Sequence, residues 1–428
     1  VNVTVVGLGK IGLPLGVQIA SRGHRVTGLD ISAEVVATIS AGEAPFPGEP
    51  GLDDRIRATL ADGTFRPTVD AAAAVADADV VIVVVPLVVD GDRKPDFGPL
   101  DDATRAIGPH LRAEALVSYE TTLPIGTTRE RFTPALEAAS GLKAGSELFV
   151  CHSPERVSSG RVFADLRRYP KLVGGIDPES ARRAVEFYAS ALDFDPRDDL
   201  GRANGVWDLG SAEAAELAKL AETTYRDVNI AYANELASVA EHWSLDLRPV
   251  IEACNSQPFS HIHQPGISVG GHCIPVYPHF LLAGAPDARL PGVAREVNRA
   301  MPARHVDLLQ ELLGGSLAGR SVVVLGLAYR AGVKEHAFSG AFDLVRELAE
   351  RDAAVTVHDP MYLDHELVAL GMRPHRLGDE VEGVILHTAH ADYLALTARE
   401  MPGMPAAVDG RGVLGEVSWA RAVRGLGH

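Results

Sequence analysis

The sequence predicts an α/β protein: two doubly wound parallel-sheet domains joined by a central helical domain with one long helix. Three observations carry this. Apolar, β-branched runs alternate with helical stretches from residue 1 to residue 156. A second alternation of the same kind occupies 321–387. Between them, residues 211–242 carry Ala, Leu and Tyr at helical spacing without Gly or Pro, which reads as a single helix of about eight turns. Continuous apolar strands separated by helices form parallel sheets covered on both faces, and such sheets bind ligands beyond the carboxyl ends of their strands.

The first unit opens with a strand over 1–6, then Gly7-Leu8-Gly9-Lys10-Ile11-Gly12, then a helix over 13–21. Strand, G-x-G-x-x-G and helix in that order are the context of a dinucleotide fingerprint. Gly7 permits the tight turn, Gly9 lets a pyrophosphate come close, and Gly12 lets helix and strand pack. The helix N-terminus faces the phosphates with free N–H groups and the positive end of its dipole. The next strand, 25–29, closes on Asp30. A carboxylate there can accept from both ribose hydroxyls and would repel a 2′-phosphate, so NAD is expected rather than NADP.

The Rossmann-like alternation continues with a helix over 53–61 and a strand over 79–85 that stops at Pro86. A helix over 101–112 leads to a strand over 115–119, which ends in Glu120-Thr121-Thr122. Gly126-Thr127 opens the next helix, and a strand over 148–152 ends in Ser153-Pro154-Glu155-Arg156. Pro86, Thr121, Thr122 and Glu155 thus fall at the ligand-binding ends of strands, although either Thr alone could equally cap a helix or form a turn.

Residues 266–280 read G-I-S-V-G-G-H-C-I-P-V-Y-P-H-F and set Cys273 behind two glycines and a His. Gly270 and Gly271 allow a sharp turn and close approach of a ligand. Pro275 and Pro278 are expected to forbid a regular helix immediately afterwards. A thiol on such a loop can be presented to a carbonyl; a free Cys can equally be a small buried hydrophobe. Lys219, on the long helix among Leu217, Ala218, Leu220 and Ala221, is either a solvated face residue or a partly desolvated cation with a task.

A shorter helix ends at Asn255, and another spans 291–313. In the second α/β unit, a strand over 321–325 precedes the turn 326–330 and a helix over 338–351; strands follow over 354–358, ending at Asp359, and over 383–387. This unit lacks a full G-x-G-x-x-G, so a second NAD is not expected, and Arg330 and Lys334 are available there for a different phosphate.

At 428 residues the chain has room for two or three domains. A net charge of -17 argues against nucleic acid or an anionic membrane as partner, and an anionic small ligand would need a local cluster of Arg, Lys and backbone N–H groups. Cys151, Cys254 and Cys273 are too few for a disulfide framework, and His261 with His263 is a weak metal signal, so no metal is expected. The longest apolar run, 78–89, is too short for a membrane span, and a strand pattern from the first residue gives no sign of a signal peptide. A cytoplasmic protein is expected.

Taken together, these motifs resemble the UDP-glucose/GDP-mannose (UDP-sugar 6-) dehydrogenase family. The likeness rests on G-L-G-K-I-G with Asp30, E-T-T-L-P-I-G-T-T (120–128), S-P-E-R-V (153–157), E-L-A-K-L-A-E (216–222), R-D-V-N-I-A (226–231), G-G-H-C-I-P-V (270–276), L-G-L-A-Y-R (325–330) and D-G-R (409–411). His272 and the R-D-V-N-I-A segment point to its UDP-N-acetylmannosamine and UDP-N-acetylglucosamine branch. The resemblance implies an NAD domain over 1–205, a central dimerisation domain over 206–312 and a UDP-sugar-binding domain over 313–428. It implies that Cys273 attacks an aldehyde made at the sugar C6, that Lys219 stabilises the oxyanion and that Glu155 does acid–base work on a thioester. Thr122 would stand near sugar and nicotinamide, and Arg330 at the UDP pyrophosphate. The implied cofactor set is Gly7, Gly9, Lys10, Ile11, Gly12, Asp30, Pro86, Thr121 and Thr122. The implied substrate set is Glu155, Arg156, Val157, Lys219, His263, Gly270, Gly271, Arg330 and Lys334. A homodimer through the long helix is implied as well.

Three positions depart from the family pattern: Thr223 for the usual Asn, Tyr277 for the usual Asp, and Ala337 for an Arg, where Lys334 or His336 is the nearest replacement. Thr still donates and accepts one hydrogen bond, but Tyr is no base at neutral pH. The expected function is NAD-dependent oxidation of a UDP-hexose to the uronic acid. The alternatives are a UDP-glucose 6-dehydrogenase, a variant that stops at the 6-aldehyde, an NAD-using isomerase and a non-catalytic sensor.

Overall fold

The computed structural model describes residues 1–91, 93–415 and 417–427. The chain forms two compact units, Val1–Ala221 with His279–Pro286, and Glu222–Pro278 with Asp287–His428.

In the first unit the strands are β1 (Asn2–Val6), β2 (Arg25–Leu29), β3 (Phe65–Thr68), β4 (Val80–Val83), the short antiparallel pair β5 (Val88–Val89) and β6 (Pro95–Asp96), β7 (Leu116–Tyr119), β8 (Phe149–His152), β9 (Lys171–Gly175) and β10 (Val206–Asp208). Eight of them form one sheet in the order β10-β9-β8-β7-β4-β1-β2-β3. β1 lies between β2 and β4, parallel to both, with Val5 opposite Gly28 and Ile82. Val3 and Val5 of β1 pack with Leu13, Val17 and Ile19 of the helix Gly12–Ser21. Gly28 stands in mid-strand because a Cβ there would come 2.8 Å from the Leu8 side chain and 2.9 Å from Phe65.

One pairing breaks the parallel pattern. β9 runs antiparallel to β8, with Gly174 opposite His152. Its first residue, Lys171, is therefore carried to the carboxyl end of β8, where Glu155 leaves the sheet. A polar residue opening an apolar strand gives no local hint of this, because the pairing is set across the sheet and not along the chain.

The helix Ala212–His242 has 31 residues and matches the expected span to within one residue. Its first turns are tied down by Glu216, which is buried and accepts from Gly126 N–H at 2.6 Å, Thr128 N–H at 2.8 Å and the Thr128 hydroxyl at 2.6 Å. Those donors come from a tight turn: after Gly126 the backbone makes one π-helical stretch, Thr128–Phe132, before the α-helix Thr133–Ser140 begins.

The second unit holds a five-stranded parallel sheet, β12-β11-β13-β14-β15, made of β11 (Ser321–Leu325), β12 (Ala354–His358), β13 (Gly383–Leu386), β14 (Ala406–Asp409) and β15 (Ala422–Gly425). Alternate residues of β11 serve opposite faces. Val322 and Val324 pack with Leu308, Leu309 and Leu344, whereas Val323 and Leu325 pack with Tyr393 and Trp419. Both faces are covered, as a parallel sheet requires.

Pro278 does not end the chain's regular structure as expected. It occupies the second position of the helix Tyr277–Gly284. A first-turn N–H has no intrahelical acceptor to lose, so proline is tolerated there. Among the described residues no helix is long and apolar enough to cross a membrane, and no cluster of His, Cys, Asp or Glu is arranged to hold a metal ion.

Glu216→Ala strands three buried donors and is expected to cost about 2–4 kcal/mol of stability. Calorimetric unfolding of the two proteins checks it; equal stability would show that the turn needs no such anchor.

Candidate active site

The G-x-G-x-x-G loop is built as a cradle. Gly7 is left-handed at φ 93°, and its N–H donates to Leu29 O at 2.8 Å. A Cβ on Gly12 would lie 1.9 Å from Gly7 O, whereas one on Gly9 would meet nothing within 4 Å. The loop is thus closed beneath and open above Gly9, with exposed Lys10 and half-buried Ile11 beside it. No side chain caps the helix Gly12–Ser21; Leu13 N–H donates to Gly9 O at 3.1 Å and Pro14 carries no N–H, so what the helix start offers an anion is the positive end of its dipole behind the open face at Gly9. Asp30 holds the loop from the end of β2, accepting from Leu8 N–H at 2.8 Å and Ser32 N–H at 2.9 Å, and stays partly exposed. A carboxylate has about four acceptor sites, so two remain for ribose hydroxyls. These residues fit a dinucleotide.

Beside the cradle, the Thr121 hydroxyl donates to Val85 O at 2.6 Å, next to Pro86. Thr122 is buried at the end of β7. Glu155 accepts through Oε1 from the N–H groups of Arg156 at 2.6 Å and Val157 at 3.2 Å, and through Oε2 from Lys171 Nζ at 2.9 Å. Burial works to raise the Glu155 carboxyl, but the Lys171 charge and these donors outweigh it and hold it below the usual range. Lys219 is 7% exposed, which makes it a desolvated cation rather than a solvated face residue.

In the second unit the cysteine loop is pinned on several sides. Gly271 N–H donates to Ala337 O at 2.8 Å, and Gly271 is left-handed at φ 92°. Cβ atoms on Gly270 and Gly271 would come 2.6 and 3.0 Å from Tyr329, so the loop lies directly on the turn that carries exposed Arg330. The N–H groups of Val276 and Tyr277 close a turn on Cys273 O at 3.1 and 2.9 Å, leaving Cys273 partly exposed. The long helix holds the approach to the loop: Asn229 accepts from His263 N–H at 2.8 Å and donates to His261 O at 2.7 Å, and Asn234 accepts from Gly266 N–H at 2.9 Å. Behind Asn234 lie Asn298 at 2.9 Å and the buried pair Asp227–Arg295 at 2.7 Å.

The other two cysteines have different surroundings: Cys151 is fully buried, with its thiol pushed up to about 12 by desolvation, and Cys254 is half-buried. Lys334 Nζ is engaged by Glu366 at 2.6 Å and His336 Nδ1 by the Tyr362 hydroxyl at 3.1 Å.

Arg411 is a further candidate site residue, beyond those expected one by one from the sequence. A cavity of about 360 Å³ is lined by Gln264, Gly266, His305, Asp409 and Arg411 among others. Arg411 donates through Nε to His387 O at 2.6 Å, burial pulls its guanidinium down to about 10, and no carboxylate lies in ion-pair range among the described residues. A half-buried cation lining a cavity suits a phosphate or a uracil carbonyl. The D-G-R motif marked the spot, but nothing local said that the Arg would line a cavity.

Family models match the chain in three consecutive parts of one set. Residues 1–192 match the NAD binding domain of the UDP-glucose/GDP-mannose dehydrogenase family, 213–300 its central domain and 323–416 its UDP binding domain. The chain belongs to that family. It is a nucleotide-sugar dehydrogenase, and its cofactor is NAD. It is 33% identical over 434 residues to the UDP-N-acetyl-D-mannosamine dehydrogenase of Pyrococcus horikoshii, covering 100% of this chain and 99% of that one. It is 33% identical over 367 residues to an NDP-N-acetyl-D-galactosaminuronic acid dehydrogenase of Ralstonia solanacearum, covering 84% of this chain and 83% of that one. The solved Pyrococcus horikoshii enzyme superposes with a TM-score of 0.87 at 32% identity, covering 100% of this chain and 99% of that one. A UDP-glucose dehydrogenase from Pyrobaculum islandicum superposes with 0.86 at 28%, covering 100% and 97%.

Within this dehydrogenase the departures fall at held positions. Thr223 is fully buried on the long helix, Tyr277 opens the helix after the cysteine loop, and Ala337 contributes its carbonyl to that loop. Gly12→Ala drives a methyl into the Gly7 carbonyl and is expected to weaken NAD binding by about tenfold or more. Calorimetric titration with NAD reads this directly; unchanged affinity would show that the loop is not the cradle.

Proposed function

We propose that the protein oxidises the C6 hydroxyl of a UDP-N-acetylhexosamine, N-acetylmannosamine first among them, to the uronic acid, with Cys273 holding the sugar covalently through the second half. The observation that carries this is a partly exposed Cys273 on a loop pinned to the turn of Arg330, in a chain related over its full length to a dehydrogenase named for that sugar.

NAD, when bound, takes the hydride released at each of the two oxidations. The rest falls to the chain. Thr122 orients the C6 hydroxyl, and Lys219 stabilises negative charge as it grows on the oxygen. The Cys273 thiolate adds to the aldehyde carbon: a C–S bond forms, the carbonyl electron pair moves to oxygen, and oxidation of the thiohemiacetal leaves a thioester. Water then adds while Glu155 receives its proton, the C–S bond breaks, and thiol and uronic acid separate. A lysine also favours the thiolate over the thiol. Arg330, Arg411 and the backbone of Gly266 hold the nucleotide diphosphate and base, with His263, Arg156, Val157 and Lys334 around the sugar and phosphates. Thr223 and Tyr277 repack the site where the family carries Asn and Asp. In this reading 1–205 serves NAD, 206–312 supplies Cys273 and the dimer contact, and 313–428 serves the nucleotide. The dimer is supported by Tyr225, Tyr232 and Val239, large exposed apolar side chains seven residues apart along one stripe of the long helix.

Incubation with NAD and a panel of UDP-N-acetylmannosamine, UDP-N-acetylglucosamine and UDP-glucose is expected to yield two NADH per sugar consumed. One NADH per sugar would mean arrest at the aldehyde, the outcome favoured if Tyr277 cannot replace the missing carboxylate. No NADH from any of the three would overturn the proposal.

A further inference from the structure

At the carboxyl end of the first sheet one buried ammonium serves two carboxylates. Lys171, 4% exposed, donates from Nζ to Glu120 Oε2 at 2.7 Å and to Glu155 Oε2 at 2.9 Å. Glu120 is wholly buried and takes a further hydrogen bond on Oε1 from the Tyr188 hydroxyl at 2.6 Å; Tyr188 in turn lies 2.7 Å from the Ser118 hydroxyl. Four elements meet here: the ends of β7 and β8, the start of β9 and the helix Pro178–Ala191. The other titratable groups facing the cluster are the Cys151 thiol, pushed up to about 12, and the His152 imidazole, pulled down to about 3, both by burial, so both are neutral. Its charge is therefore set by two carboxyl groups and one ammonium.

Burying a charge is costly, and a structural ion pair would stop at one carboxylate. Glu120 alone, with Tyr188, already satisfies the inner side of Lys171. Glu155 is the member with an open edge, at 11% exposed, and its other oxygen is fixed by two backbone N–H groups.

We propose that Lys171 is a positioning residue of the reaction, with Glu120 as its buried counter-charge, and that together they fix the aim and the charge of Glu155. The inference rests on the reading of Glu155 as the proton acceptor of the thioester step. Lys171 keeps Glu155 ionised when the substrate arrives, and Glu120 keeps Lys171 charged and immobile. Burial, ahead of the opposing pull of Lys171, raises Glu120 to about 7. Below that pH, Glu120 carries a proton and Lys171 serves Glu155 alone. As pH rises through it, the second negative charge weakens the hold of Lys171 on Glu155, which becomes the stronger base, so kcat climbs across this window.

The test measures kcat and KM with UDP-N-acetylmannosamine and NAD from pH 6 to 9. Lys171→Met is expected to lower kcat by about 10²-fold with KM within about twofold, and Lys171→Arg to recover most of it. If Lys171→Met does not fold, the double variant Glu120→Gln/Lys171→Met, which no longer buries a bare carboxylate pair, is expected to show the same kcat loss. Glu120→Gln is expected to remove the rise near pH 7. Lys171 variants with wild-type kcat, an Arg replacement no better than Met, or a Glu120→Gln profile that superposes on wild type would each overturn the inference. Glu155→Gln separates the two levels: if it turns over normally, the reading of Glu155 is wrong, whereas if it fails and the Lys171 variants do not, only the role of Lys171 is wrong.

Discussion

Parallel strands commit their side chains to the two covered faces and leave chemistry to the loops at their carboxyl ends, so those loops must be held by something other than the sheet. In this protein carboxylates hold them. Asp30 takes the N–H groups of Leu8 and Ser32, Asp359 those of Leu327 and Ala328, and Asp409 those of Arg411, Gly412 and Leu414. Glu120 grips Lys171, and Glu216 grips the turn after Gly126. Each acceptor with several donors fixes a loop that hydrophobic packing alone would leave adaptable.

The same device serves different ends in the two sheets. Asp30 and Asp359 occupy equivalent places, each after the strand next to the first one. Asp30 remains partly exposed and can still meet a ribose. Asp359 is 2% exposed and lies 3.3 Å from His390 Nε2, so its capacity is consumed inside the protein. One loop is left open for a dinucleotide and the other is closed into a support for the turn that carries Arg330. The cysteine loop is stiffened by amides instead: Asn229 and Asn234 on the long helix hold its approach, and its glycines lie flat on Tyr329. On the proposed mechanism, in which Cys273 captures an aldehyde before it escapes, such rigidity is an advantage.

Much of this was legible in the sequence where the signal was periodic or local. The strand–helix alternation, the fingerprint with Asp30 and the long helix all carry their pattern within a few turns of chain. What stayed hidden depends on residues far apart. The antiparallel entry of β9 brings Lys171 to Glu120, 51 residues away, and nothing near either residue announces the meeting. The placement of Arg411 depends on His387 and on Ser268, 143 residues distant. Pro278 differs from expectation because its position within a helix, not its identity, decides whether it breaks one. Thr223 and Tyr277 stood out only against the family pattern, since neither is unusual for a helix.

The proposed mechanism requires a covalent bond between Cys273 and the sugar. Mass spectrometry of the Cys273 peptide, from protein quenched in acid during turnover with NAD and UDP-N-acetylmannosamine, tests it most directly. The predicted result is a peptide heavier by the oxidised nucleotide-sugar, absent when NAD is omitted and enriched in Glu155→Gln. An unmodified Cys273 peptide in protein that is visibly forming acid would contradict it.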